Sequence, residues 1–196
     1  FDISIYEMST TDLIFNVPVP PATGFSFFKE NVGEDQNKGV EINIGGTLIR
    51  TSNFCCNTDV FFAKNENTLV ELIEDLESIT YNTTNSGNAS IRATVGGGLG
   101  DIYGTVWDTD DSGTNIVNAN GLPIASSSLE ILGNSNPDWL GGWSNSFSFG
   151  DLSFSFLIDA RIGGQIYSET SAGLDSSGVS NRSLLYRESG VTLNGI

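Results

Sequence analysis

"NSFSFGDLSFSFLID", residues 145–159, sets a serine or other polar residue between nearly every pair of apolar ones, breaks at Gly150 and Asp151, and then resumes. A period of two marks a β-strand with one apolar face, and a two-residue break carrying glycine marks a tight hairpin. The pairing this predicts sets Phe149 opposite Leu152 and Phe147 opposite Phe154. Trp143, Phe147, Phe149, Leu152, Phe154, Phe156 and Ile158 then share one face. Ser144, Ser146, Ser148, Ser153 and Ser155 share the other, with Asn145 the misfit on the apolar side. Any fold containing this hairpin must cover a face of phenylalanines with something apolar and leave the serines in a polar setting.

The same rhythm recurs. In residues 39–48, Val40, Ile42, Ile44 and Leu48 alternate with polar residues, and in residues 54–63 Phe54, Cys56, Val60 and Phe62 do so, with Thr58 and Phe61 as blemishes. These two segments form a second hairpin if Leu48 sits opposite Phe54. Strands are thus expected at about 1–8, 39–48, 54–63, 140–149 and 152–161, joined by long loops at 9–38 and 64–139 and followed by a long tail at 162–196. One helix is expected, over 68–79. There Leu69, Leu72, Ile73 and Leu76 form a stripe, Thr68 and Glu71 have capping-box spacing, and Glu71, Glu74, Asp75 and Glu77 form a solvated face.

Composition excludes several functions. Twenty-four acidic against 8 basic residues give a net charge of −16 over 196 residues, which repels the phosphate backbone that nucleic-acid binders must neutralise. With no histidine, Ser-His-Asp and Cys-His nucleophilic arrangements and the usual nitrogen ligand of zinc are absent. Cys55 and Cys56 are sequence neighbours, a poor geometry for a disulfide, and read as two small apolar residues of a strand. "VGGGLG", residues 95–100, lacks the lysine of a phosphate loop and reads as flexible backbone. "DTDDSG", residues 108–113, opens like a calcium loop with Asp108, Asp110 and Ser112, but Ala119 occupies the position that needs a bidentate glutamate, so it reads as a polar turn. No cofactor is expected. Tyr103, Trp107 and Trp139 are the candidate substrate-contacting aromatics.

No run approaches the roughly 18 apolar residues of a membrane helix, and the first residues lack the layout of a signal peptide. The chain opens at Phe1 in mid-pattern and stops at Ile196 just after a turn, as a piece of a longer protein would. The clear strands are close to the 9–11 residues that cross a bilayer at a tilt, and tight turns alternate with long connections, as in transmembrane barrels. Five strands cannot close a barrel in lipid, so its remainder has to come from other sequence. A soluble secreted β-sandwich acting as a carbohydrate-binding or adhesive module shares the periodicity and remains the alternative. A β-rich glycosidase fragment is a third reading, since 24 acids offer many carboxylate pairs.

Several longer stretches carry a resemblance. "TDLIFNVPVPPATGF", "NVGEDQNKGVEINI", "FFAKNENTLVEL", "LGNSNPDWLGGWSNSFSF" and "FSFLIDARIGGQIYSET" follow one another in an order that resembles the SusC/RagA family of TonB-dependent outer-membrane transporters over nearly the whole chain. The family's motif positions fall on Asn31, Gly33, Asn37, Gly39 and Glu41, then on Leu132, Gly133, Asn134, Pro137, Trp139, Gly141, Gly142 and Asn145, and last on Asp159, Arg161, Gly163 and Gly164. The sequence departs from the family at Cys55 and Cys56, where relatives tend to carry an aromatic nearby. The resemblance implies part of the later half of a 22-stranded antiparallel barrel in a bacterial outer membrane, with no plug domain in this chain and no catalytic residues. It also implies a SusD-like surface lipoprotein and the TonB complex as partners, and import of glycans or oligopeptides. Phe147, Phe149, Leu152, Phe154, Phe156 and Ile158 are then the lipid-facing residues.

Overall fold

The computed structural model of the chain describes residues 1–73, 76–185, 187–188, 190 and 195, the side chains of Pro18 and Tyr81 excepted. Among the described residues, eleven strands follow in order: β1 (Asp2–Thr10), β2 (Ile14–Pro18), β3 (Phe27–Asn31), β4 (Gly33–Arg50), β5 (Phe54–Leu72), β6 (Ser78–Thr83), β7 (Ala89–Thr94), β8 (Asp101–Trp107), β9 (Ala125–Asn134), β10 (Pro137–Phe149) and β11 (Leu152–Gly163). Two short helices, α1 (Glu169–Ser176) and α2 (Asn181–Leu184), come last.

The chain forms two compact units. The first comprises residues 1–79, 93–100 and 134–165. Its centre is an antiparallel sheet in the order β1-β4-β5-β10-β11, whose two edges are β1 and β11. Tight turns close β4–β5 and β10–β11 at one end of the sheet, while at the other the chain departs after Thr10 and Leu72 and re-enters at Gly33 and Pro137. The small hairpin β2–β3 lies between β1 and β4 in sequence, and Val32 beside it is fully buried, its N–H donating to the Leu13 carbonyl at 2.7 Å. The second unit comprises residues 80–92, 101–133 and 166–196. Most of the four-stranded sheet β6-β7-β8-β9 belongs to it, with Ala89 and Ile102 buried.

The aromatic hairpin has the expected register: Phe149 pairs with Leu152, Phe147 with Phe154 and Asn145 with Phe156. Gly150 supplies the positive φ (+56°) that the two-residue turn requires. The first hairpin differs from expectation. Thr51 and Phe54 close its turn, with Thr51 N–H donating to the Phe54 carbonyl at 2.7 Å, and a bulge displaces Leu48. Ile49, not Leu48, therefore reaches the apolar face, opposite Cys56.

The described residues of 68–79, that is 68–73 and 76–79, do not form the expected helix. Through Leu72 they continue β5, because residues 33–38 offer a complete antiparallel partner, with Asp35 opposite Leu69 and Gly33 opposite Leu72. The buried Leu69 then serves a strand face rather than a helical stripe, tertiary pairing overriding local propensity. Of the acids assigned to that helix, Glu74 and Asp75 lie outside the described residues. The segments read as long loops also carry structure: β2 and β3 within 9–38, the end of β5 and β6–β9 within 64–139, and both helices within 162–196. The expected flexible segment 95–100 is pinned along β5, where Leu69 N–H donates to the Gly97 carbonyl (2.8 Å) and Gly96 N–H to the Leu69 carbonyl (2.9 Å).

Candidate functional site: a sheet with one apolar and one polar face

Strand register decides which side chains share a face. On one side of the main sheet stand Ile3 and Ile5 of β1, Val40, Ile42 and Ile44 of β4, and Phe54, Cys56, Val60 and Phe62 of β5. Trp143, Phe147 and Phe149 of β10 and Leu152, Phe154, Phe156 and Ile158 of β11 complete it. Their rings form a continuous layer, with Phe147 6.3 Å from both Phe154 and Phe156 and Trp143 edge-on to Phe156 at 5.2 Å. This layer is uncovered: Ile5 is 83% exposed, Leu152 72%, Phe149 64%, Phe154 62% and Ile158 53%. Contiguous apolar surface of this extent marks an interface with another apolar phase or partner.

From Trp139 to Phe149 on β10, and from Leu152 to Ile162 on β11, the apolar side runs ten residue steps. At about 3.4 Å per step and a tilt of about 40°, this is a band roughly 26 Å tall, close to the belt of membrane barrels at about 25 Å. β4 and β5, at 18 and 19 residues, run well past it.

Asn145 and Thr58 are polar insertions in this face, and they satisfy each other's surroundings. The Trp143 indole N–H donates to Thr58 Oγ1 at 2.8 Å. Asn145, only 5% exposed, places its amide nitrogen to donate to the Asn57 carbonyl (2.8 Å) and its oxygen to accept from Trp143 (3.3 Å). A buried amide paired in this way costs little, whereas an unpaired one in apolar surroundings costs several kcal/mol. Both cysteines are free thiols, Cys56 within the apolar layer beside Asn145.

The other face is polar. Asp2, Ser4, Glu41, Asn43, Asn57, Asp59, Ser144, Ser146, Ser148, Ser153, Ser155, Asp159 and Arg161 occupy it, with Leu140 and Leu157 as its exposed aliphatic exceptions. Thr47 donates to Asn57 (2.7 Å), and Asn57 lies 3.5 Å from Ser146. The aromatics on this side cover glycines. Tyr6 lies over Gly39 and Phe61 over Gly142, so a Cβ at either glycine would collide with the ring. Phe61, a blemish in the period-two pattern, therefore has a definite place.

Toward the open end of the sheet the polar face becomes an amide network that the sequence pattern did not reveal. Tyr6 Oη donates to Asn65 Oδ1 at 3.1 Å, and Asn65 Nδ2 donates to Asn37 Oδ1 at 2.8 Å. Asn37 Nδ2 donates to Asp35 at 2.7 Å, Asn67 donates to the same carboxylate, and Leu99 N–H donates to Asn67 Oδ1 at 2.9 Å. Asp35 is buried. Two pairs spaced by two residues, Asp35/Asn37 and Asn65/Asn67, were the available signal. Beside the network lies a half-open groove of about 630 Å³, lined among others by Tyr6, Glu41, Asn65, Asn136, Asp138 and Trp139.

The remaining motif residues sit at strand ends. Gly33 lies against the Glu71 carbonyl, and Gly163 and Gly164 take φ of +76° and +77° at the end of β11. Arg161 donates to the Ser135 carbonyl at 3.1 Å, and Asn134 and Gln165 exchange two hydrogen bonds. Of the candidate substrate aromatics, Tyr103 and Trp107 share one face of β8 in the second unit, and Arg92 stacks over Tyr103 at 5.7 Å. Trp139 belongs to the first unit and packs on Phe62, ring centres 5.8 Å apart.

In the turn at 108–113, Asp110 Oδ1 accepts from Ser112 Oγ (2.7 Å), Ser112 N–H (2.9 Å) and Thr114 N–H (2.8 Å). The Ser112 hydroxyl first, then the backbone donors, hold its carboxyl below the usual range. That oxygen closes a turn. Glu169, at the start of α1, accepts from Ser86 N–H at 2.6 Å, and this bond lowers its pKa likewise. Among the described residues, no group of three or more Cys, Asp or Glu is placed to hold a metal ion.

No family model matches the sequence. The chain is 27% identical over 186 residues to the TonB-dependent receptor P26 of Formosa agariphila, and 29% identical over a 215-residue alignment to the TonB-dependent receptor P39 of the same organism. These matches take in 85% and 83% of this chain but 19% and 20% of the receptors. Among solved structures, a chain of the RagAB peptide transporter superposes with a TM-score of 0.62 at 20% identity, over 82% of this chain and 19% of that one. The RagAB peptide importer in its closed-closed state gives 0.62 at 22% identity, over 83% and 19%. The chain is a relative of the TonB-dependent receptors, has the backbone arrangement of part of a RagAB chain, and spans about a fifth of the length of the proteins it matches.

Proposed function

We propose that this chain is part of the barrel wall and the extracellular end of a TonB-dependent importer in a bacterial outer membrane, carrying glycans or oligopeptides inward. The observation that carries the proposal is the uncovered apolar layer from Ile3 to Ile158, backed across the same strands by a polar face of serines, asparagines and acids. Lipid covers the first, and lumen water wets the second. β1 and β11, the edges of the sheet, pair with strands supplied by the rest of the barrel, since unpaired strand edges do not persist in hydrocarbon. The 22-strand count, the SusD-like lipoprotein and the TonB complex belong to the same proposal. So does the assignment of Phe147, Phe149, Leu152, Phe154, Phe156 and Ile158 to lipid.

In this scheme the sheet end bearing the turns at Thr51 and Gly150 faces the periplasm, and the end where the long insertions depart faces outward. Loops carry specificity and the barrel is scaffold. Tyr103 and Trp107 offer stacking surfaces to a hydrated substrate, and the ring contact of Trp139 with Phe62 favours a place in the aromatic belt at the membrane surface. The test is uptake of labelled oligosaccharides and oligopeptides by cells expressing a full-length receptor that carries this segment, with the TonB complex intact or deleted. Uptake of one class that disappears with TonB is expected. Uptake equal in both strains, or a receptor monodisperse without detergent, contradicts the proposal.

A further inference from the structure

Two of the chain's three lysines, Lys38 and Lys64, stand on the apolar side of the main sheet, where the apolar band ends. Lys38 pairs with Glu66 on β5, and Lys64 pairs with Val40 on β4, so the two lysines are diagonal neighbours on adjacent strands. Such neighbours lie about 7–8 Å apart at the backbone, close enough for two long side chains to converge on one group. Both are exposed. Lys38 meets Glu7 at 3.3 Å, while the Lys64 ammonium makes no hydrogen bond or ion pair among the described residues. Glu7 and Glu66 are the acids beside the pair. Trp139, one step outside the Leu140–Ala63 pair, stands level with Lys64; just inside are Phe62 and Ile42, opposite each other, and beyond them Val60, Ile44 and Trp143. Along the face the aliphatic and aromatic band thus gives way to a level that carries Trp139 and Lys64, with Lys38 outside it, as hydrocarbon gives way to headgroup in a bilayer.

The chain as a whole, at −16, repels anions, and Glu7 already meets Lys38, so it is the Lys64 ammonium, with no ion pair among the described residues, that is left to meet an anion from outside the chain. We propose that Lys38 and Lys64 bind the phosphate of an outer-leaflet lipid whose acyl chains lie along Trp139, Phe62 and Val60. The proposal rests on the apolar face meeting lipid, and its test separates the two claims.

A full-length receptor carrying this segment is reconstituted in phosphatidylcholine bilayers with and without phosphatidylglycerol, and the lipids it retains are counted by native mass spectrometry. A lysine near an anionic surface is worth about a fivefold change in binding. Lys64→Gln is expected to lower phosphatidylglycerol retention about fivefold, and Lys38→Gln combined with it more. Lys64→Arg and Lys29→Gln, the latter on β3, are expected to leave retention unchanged, as is phosphatidylcholine retention throughout. Equal phosphatidylglycerol retention by wild type and the double variant, both inserted, overturns the lipid site and leaves the membrane wall intact. Failure of the wild type to enter either bilayer overturns the wall itself.

Discussion

An arginine placed on the apolar face tests where that face lies, because its cost depends on depth. Ile158 is four residue steps from Ile162 and six from Leu152, which puts it within about 3 Å of the middle of a 26 Å band at the same strand rise and tilt. Leu152 sits at the band's edge. In a bilayer, Ile158→Arg should cost about 2–4 kcal/mol and Leu152→Arg about 0–1. Ser155→Arg, on the polar face, should cost close to nothing. In water the three would scarcely differ, since substitutions at exposed sites, here 53% and 72% for Ile158 and Leu152, usually stay within about 0.5 kcal/mol. The assay is reversible denaturant unfolding of a full-length receptor from phosphatidylcholine vesicles. The expected loss at Ile158 is a factor of roughly 30 to 700 in the folding equilibrium. Equal costs at Ile158, Leu152 and Ser155 would refute the depth argument.

Other outcomes follow from particular contacts. Gly142→Ala should destabilise by about 1–3 kcal/mol because the new methyl meets the Phe61 ring, and the same change in a Phe61→Ala background should cost measurably less in a double-mutant cycle. Asn145→Ala removes the acceptor beside Trp143 and should cost about 1–3 kcal/mol in the same unfolding assay, whereas Asn43→Ala on the wet face should cost under about 0.5. The bond from Ser86 N–H holds the Glu169 pKa below its ordinary 4.5, so the stabilisation it gives is present above that value and lost as pH falls through the lowered one. Hydrogen exchange at Ser86 should accelerate in that acidic window, beyond the intrinsic trend, in the wild type and not in Glu169→Gln.

The sequence was most legible where one face must be apolar and the other wet. The Phe147–Phe154 and Phe149–Leu152 pairs follow from alternation about a two-residue turn, because a slip by one residue would invert every side chain. Leu48 was misplaced since a bulge leaves no mark on the apolar count. The stretch from Thr68 to Ile79 carried a helical stripe, and the strand partner that overrode it, Gly33–Lys38, lies some thirty residues away. The amide network of Tyr6, Asp35, Asn37, Asn65 and Asn67 was illegible for the same reason: its members are ordinary polar residues until three strands bring them together. Strands β6–β9 have little alternation to read, with runs such as "ASSSLEILGN", and only pairing in the second sheet defines them.

Collision accessibility of spin labels scanned one at a time through 143–149 and 152–158, in a full-length receptor with Cys55 and Cys56 replaced and embedded in a bilayer, addresses the two-faced wall most directly. Labels at 143, 147, 149, 152, 154, 156 and 158 should meet oxygen and exclude a water-soluble nickel complex, and those at 144, 146, 148, 153 and 155 should do the reverse. Accessibility to nickel that is uniform along both strands, or that peaks at the phenylalanine positions, would contradict the account.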